Sequence, residues 1–306
     1  MNNKVAVIGA GNVGATAALY LAQKEMGDVV LVDIVEGMPQ GKALDLMEAG
    51  PVLGYSTQVV GTNSFADIEG ADVVVITSGL ARVPGMTRLD LLKKNAAIIK
   101  SVVENISKYA PGSFIIMVTN PVDVMTYHAL KKSGFKRERV FGQAGVLDGS
   151  RFACFIADAI GVSMQDVRAM VLGGHGDSMV PLPRYTTVNG VAVSELIEKD
   201  KLEKIIERTR KAGGEIVSLL KTGSAYYSPA ASSVHMVEAV LKDKKSFLSA
   251  SVCLRGEYGL EDVCVGVPVK VGQGGIEEII ELELSDEERA ALHASAAVYK
   301  KSIDEL

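Results

Sequence analysis

Short β-branched, apolar runs alternate with longer stretches of mixed polarity through the first half of the chain. Residues 5–8, 29–32, 72–76 and 114–118 are almost continuously apolar, which suits strands buried on both faces of a parallel sheet. Residues 58–60 and 140–141 are weaker runs and supply a third and a sixth strand. Residues 13–23, 40–48, 89–109 and 122–132 between them have helical character. Parallel strands need crossover connections, so this alternation predicts a doubly wound α/β sheet. The second half changes rhythm. Residues 150–160 predict a helix and 169–172 a strand leading into Gly173-Gly174-His175-Gly176-Asp177. Residues 196–220 predict one long amphipathic helix, and 228–241 another. Runs at 250–254, 263–271 and 276–284 predict an antiparallel meander. Ser285 and Glu288 fit a capping box that opens a terminal helix to about residue 302. The pattern divides the chain into 1–145, a doubly wound parallel sheet, and 146–306, an α+β domain.

The chain has 306 residues, 48% hydrophobic and 23% charged, which is a globular balance and speaks against disorder. A net charge of −5 argues against a nucleic-acid partner, which would ask for a basic face. No apolar run reaches the ~18 residues of a membrane span. The strand-like run at 5–8 comes too early for a secretory leader, so a cytoplasmic protein is expected. Cys154, Cys253 and Cys264 form no CxxC pair and predict buried thiols in a reducing compartment, with no metal site.

Gly9-Ala10-Gly11-Asn12-Val13-Gly14 spells G-x-G-x-x-G between a predicted strand and a predicted helix. A pyrophosphate needs a tight turn without Cβ atoms at its approach, and Gly9 and Gly11 supply it. Gly14 lets helix and strand pack closely, and the helix N-terminus offers free N–H donors. The motif alone also fits an ordinary βα turn. Asp33, at the end of the second strand, adds the acid that holds an adenine-ribose diol and repels a 2′-phosphate, so a Rossmann domain binding NAD rather than NADP is expected. Glu36 nearby is expected to be a solvated loop charge.

Hydride chemistry belongs to a cofactor, but the accompanying proton needs a protein group of near-neutral pKa. Of the four histidines, His175 stands apart in its frame of glycines; His128, His235 and His293 sit in helical contexts that suit packing or surface roles. Asp148 and Arg151 lie three apart, which on a helix puts both on one face. One could orient the imidazole while the other binds a carboxylate; the same spacing also describes a plain surface ion pair.

Gly9–Gly14, Asp33, Asn120-Pro121-Val122-Asp123, Leu147-Asp148-Gly149-Ser150-Arg151 and Gly173-Gly174-His175-Gly176-Asp177 occur together and in this order. The set resembles the lactate/malate dehydrogenase superfamily over essentially the whole chain. That resemblance implies His175 as proton acceptor and donor, Asp148 as its orienting partner, and Arg151 as a two-pronged grip on the substrate C1 carboxylate. It implies Asn120 near the reacting oxygen and the nicotinamide ribose. Cofactor contacts implied are Gly9, Gly11, Asn12, Val13, Gly14, Asp33, Asn95, Val118 and Asn120. In the loop after the fourth strand, residues 78–88, Arg88 resembles the position that polarises the carbonyl, and Arg82 the one that separates dicarboxylates from monocarboxylates. A lactate methyl beside Arg82 would leave a buried guanidinium unpaired, so malate and oxaloacetate are the expected pair. Without the family pattern, both arginines also read as exposed loop cations. The chain resembles the lactate-dehydrogenase-like branch of malate dehydrogenases, in which residues 222–231 are similar to the pocket wall, and Ala225 stands where lactate enzymes often carry threonine; a helix start with small residues fits that stretch equally well. A homotetramer or homodimer, a small-molecule substrate and no membrane or nucleic-acid partner are the implied associations. The alternatives are a lactate or broad 2-hydroxy-acid dehydrogenase and a non-catalytic dinucleotide sensor.

Overall fold

The computed structural model describes residues 3–80 and 87–306. The first six strands are β1 (Lys4–Ile8), β2 (Asp28–Val32), β3 (Val59–Thr62), β4 (Val73–Ile76), β5 (Phe114–Met117) and β6 (Val140–Gly142), all parallel. Helices α1 (Asn12–Gln23), α2 (Met38–Leu53), α3 (Arg88–Tyr109) and α4 (Val122–Ser133) connect them. β1, β4, β5 and β6 are buried along nearly their whole length, as continuous apolar runs require when helices cover both faces. The order 3-2-1-4-5-6 reverses between β1 and β4, which opens a crevice at their carboxyl ends.

The second half begins with α5 (Gly145–Ile160), then β7 (Val167–Arg168), β8 (Val171–Leu172), β9 (Val180–Pro181), β10 (Thr187–Val188) and β11 (Val191–Ala192). It continues with α6 (Val193–Leu196), α7 (Lys199–Leu220), α8 (Tyr227–Leu241), β12 (Ser246–Arg255), β13 (Glu261–Gly272), β14 (Gly275–Ile279) and α9 (Asp286–Asp304). The antiparallel meander β12–β13–β14 does not form a separate sheet. Its first strand pairs with β6 at Ser251 and Gly142, giving one nine-stranded sheet across the middle of the chain. A smaller core of Phe152, Ile156, Val167, Val193, Leu202 and Ile205 lies between α5, α7 and the short strands.

Three sequence expectations change here. The run at 196–220 is two helices, parted by extended Ile197 and Glu198, and the third meander strand stops at Ile279. Cys253 and Cys264 are buried opposite each other on β12 and β13, but Cys154 is only half-buried on α5. No helix among the described residues is long and apolar enough to cross a membrane.

Candidate active site

The β1–α1 turn has the form a pyrophosphate needs. Gly9 takes φ +107°, a conformation L side chains rarely adopt. A Cβ on Gly14 would stand 1.8 Å from the Gly9 carbonyl oxygen, whereas a Cβ on Gly11 would meet nothing within 4 Å. The close approach is therefore on the strand side and the open space is on the ligand side. α1 has neither a side-chain cap nor an acidic residue in its first turn, so the N–H groups of Asn12 and Val13 face that space uncapped. Asp33 is fixed at the rim: Ala10 N–H donates to its Oδ2 at 2.7 Å and Val35 N–H to its Oδ1 at 3.0 Å. Lys42, unremarked in the sequence, donates to the Ala10 carbonyl at 2.7 Å and brings a cation to the same turn. The residues fit a dinucleotide.

α5 starts at Gly145, earlier than its sequence pattern suggested, so Asp148 and Arg151 both lie within it and share a face. Asp148 is 1% exposed. His175 Nδ1 lies 2.9 Å from Asp148 Oδ2, and Arg151 Nη1 lies 3.4 Å from Oδ1. The carboxylate holds the proton on Nδ1, which leaves Nε2 of the neutral ring as an acceptor. Burial pushes the imidazole down, but the Asp148 charge and hydrogen bond more than offset it, and His175 ends above its ordinary value. Arg151 is pulled below its ordinary value, first by burial and against the pull of Asp148. Its Nε is buried without a partner among the described residues.

The loop bearing His175 is braced by residues the sequence did not suggest. Tyr299 of α9 donates to the His175 carbonyl at 3.0 Å, and Gly174 N–H donates to Ser295 Oγ at 2.9 Å. A Cβ on Gly174 would sit 1.8 Å from the Tyr299 ring. Gly173 pairs with Gly266 on β13, which ties the loop to the sheet.

The remaining expected positions divide by exposure. Asn120 is exposed at the carboxyl end of β5, followed by a cis peptide to Pro121. Val118 is buried in the sheet and bonds through its backbone to Ile76. Asn95 is buried and uses its amide internally: Oδ1 accepts Leu80 N–H at 2.8 Å and Nδ2 donates to the Asn120 carbonyl at 3.0 Å. It thereby joins the loop after β4 to the loop after β5. Arg88 is exposed as the first residue of α3, just inside a capping box of Thr87 and Asp90, rather than in the loop proper. Arg82 lies outside the described residues.

A glycine turn with an uncapped helix behind it and a carboxylate-held histidine beside a half-buried arginine are the parts of an α/β dinucleotide-binding dehydrogenase. Residues 3–142 match the family model described as lactate/malate dehydrogenase, NAD binding domain, and residues 145–306 match its alpha/beta C-terminal domain. A malate dehydrogenase of Thermomicrobium roseum is 59% identical over 303 residues, covering 99% of this chain and 98% of that protein. The solved malate dehydrogenase of Salinibacter ruber superposes with a TM-score of 0.95 at 51% identity, covering 99% of this chain and 97% of that one. A lactate dehydrogenase of Cryptosporidium parvum, solved with lactic acid and NAD, superposes with a TM-score of 0.96 at 43% identity, covering 99% and 98%. The chain belongs to the lactate/malate dehydrogenase family and carries its NAD-binding domain.

Proposed function

We propose that the chain is an NAD-dependent malate dehydrogenase, interconverting (S)-malate and oxaloacetate. The observation that carries this is His175 held at 2.9 Å by buried Asp148, beside an arginine whose Nε is buried without a partner among the described residues. When bound, NAD supplies hydride exchange with the carbon that bears the hydroxyl. Gly9, Gly11, Asn12, Val13 and Gly14 hold its pyrophosphate, Asp33 its adenine ribose, and Val118 and Asn120 line the nicotinamide end. Asn95 acts there by holding Asn120 and Leu80 in place. Arg151 grips the C1 carboxylate. His175 Nε2 accepts the hydroxyl proton in malate oxidation and returns it in oxaloacetate reduction, and Asp148 stabilises the imidazolium. Arg88 polarises the carbonyl, and Arg82 meets the far carboxylate. Residues 1–145 form the NAD-binding domain and 146–306 the substrate-binding domain. The molecule works as a homotetramer or homodimer in the cytoplasm.

The test is a side-by-side rate comparison of oxaloacetate, pyruvate and longer 2-keto acids, each with NADH and NADPH. Oxaloacetate with NADH is expected to be fastest. Arg82→Gln is expected to lower oxaloacetate turnover far more than pyruvate turnover. Faster pyruvate reduction by the unaltered protein would move it to the lactate dehydrogenases. NADH binding without loss of its absorbance on adding oxaloacetate would make it a sensor.

A further inference from the structure

Asp123 belongs to a motif of which the function above uses only Asn120. It lies in the first turn of α4 and is 0% exposed. A carboxylate so deeply buried needs donors on its oxygens. Its Oδ2 accepts the backbone N–H of His175 at 2.8 Å, and its Oδ1 accepts the Ser251 hydroxyl at 2.6 Å. Tyr299 takes the carbonyl of the same histidine. Both backbone polar groups of His175 are thus held by buried side chains from two helices, α4 and α9. Asp123 has no access of its own to a substrate.

We propose that Asp123 is a positioning residue for proton transfer, fixing the His175 backbone through its carboxylate and placing a second negative charge behind the imidazole. This rests on the reading of His175 as the proton carrier. The titratable and charged groups around Asp123 are His175, Asp148 on α5, Tyr299 on α9 and Cys264 on β13. Those around His175 are Asp148, Arg151 and Asp123, and both carboxylates favour the imidazolium. Burial raises Asp123 to about 6, against the Ser251 and His175 donors that lower it. A carboxyl raised on folding binds its proton more tightly in the native state, so its ionisation subtracts stability as pH rises from its ordinary 3.8 towards 6. Packing alone gains nothing from that charge; an adjacent imidazolium does.

Asp123→Asn separates charge from shape. The amide oxygen can still accept His175 N–H while the amide nitrogen donates to Ser251 Oγ. The readouts are the pH profile of oxaloacetate reduction, KM, NADH affinity and thermal melting at pH 8. The expected result is kcat lower by about tenfold and an alkaline limb displaced roughly half to one pH unit downwards, because the imidazolium has lost a nearby anion. KM is expected to stay within about twofold, NADH affinity to stay unchanged and melting to hold or rise. Ser251→Ala, a milder change, is expected to move the limb the same way by less. An unmoved limb in Asp123→Asn overturns the proposal, and so does a loss of kcat that merely follows a loss of melting temperature. If Asp123→Asn does not fold, an unmoved limb in Ser251→Ala overturns it. His175→Ala is the separate control: full turnover there would refute the role of His175 itself, whatever Asp123 does.

Discussion

Asp148 makes two contacts with two different chemical consequences, and each can be removed alone. Toward His175 it holds a proton on Nδ1 and stabilises the charged ring. Asp148→Asn keeps the shape but loses the charge, so the imidazole falls below its present value. Stopped-flow turnover is expected to drop by roughly 10²–10⁴-fold, with the alkaline limb of oxaloacetate reduction moving down in pH. Toward Arg151 the contact is a long 3.4 Å and leaves the guanidinium available. Arg151→Lys keeps the charge but loses the planar fork. KM for oxaloacetate is expected to rise about tenfold or more, as the loss of one charge-assisted hydrogen bond would give. An unaltered KM would remove Arg151 from the carboxylate site. His175 stood out in the sequence by its frame of glycines, but Asp148 and Arg151, whose three-residue spacing also fits a plain ion pair, were singled out only through the family motif. Asp123 entered only as the last letter of a motif without a role, and Ser251, Ser295 and Tyr299 did not enter at all. Each acts through a tertiary contact between distant parts of the chain, and no local pattern of residue types announces such a contact.

Among the elements, α1 carries the most demanding junctions. Its start is packed so closely on β1 that Gly14→Ala must push the strand and helix apart at the Gly9 carbonyl. A cost of about 1–3 kcal/mol and a weaker NADH complex are expected, by calorimetry and fluorescence titration respectively. Its other end is tied to α8: Glu238 is buried and pairs with Lys24, Lys242 and Lys244 at 3.0, 3.1 and 2.9 Å. Burial would raise this carboxyl, but the three lysines overcome it and bring it down to about 2. Since its folded value lies below the ordinary 4.5, the stabilisation is present above 4.5 and lost as pH falls towards 2. Glu238→Gln is expected to cost on the order of 2 kcal/mol at pH 7, less at high salt, and progressively less as the acid is titrated in that window. Equal losses at pH 7 and pH 3 in urea melts would refute the assignment. The helices flanking the parallel strands were legible as the longer stretches of mixed polarity between the apolar runs. Of the two-residue strands only β8 fell inside a run read as a strand, 169–172; β7, β9, β10 and β11 did not, because pairs that short carry no period, and chain reversals around the small core create them.

At the scale of the molecule, the sequence pattern separated two halves, and the sheet runs through both. The meander was legible from its recurring strand-type runs, but its attachment to β6 was not. One register pair, Ser251 with Gly142, forms that joint, and neither run displays it. Heating is expected to give a single calorimetric transition for the whole chain, whereas two resolved transitions would mean that the halves melt independently. The joint also limits how the molecule can be dissected. Cutting after residue 145 would strip β12 from the edge of β6 and leave Val140 and Phe141, both fully covered in the intact fold, beside a bare row of backbone donors and acceptors. An excised amino-terminal piece, though it contains the entire glycine turn, would then present a sticky flank, and such pieces should associate with one another before they bind any coenzyme.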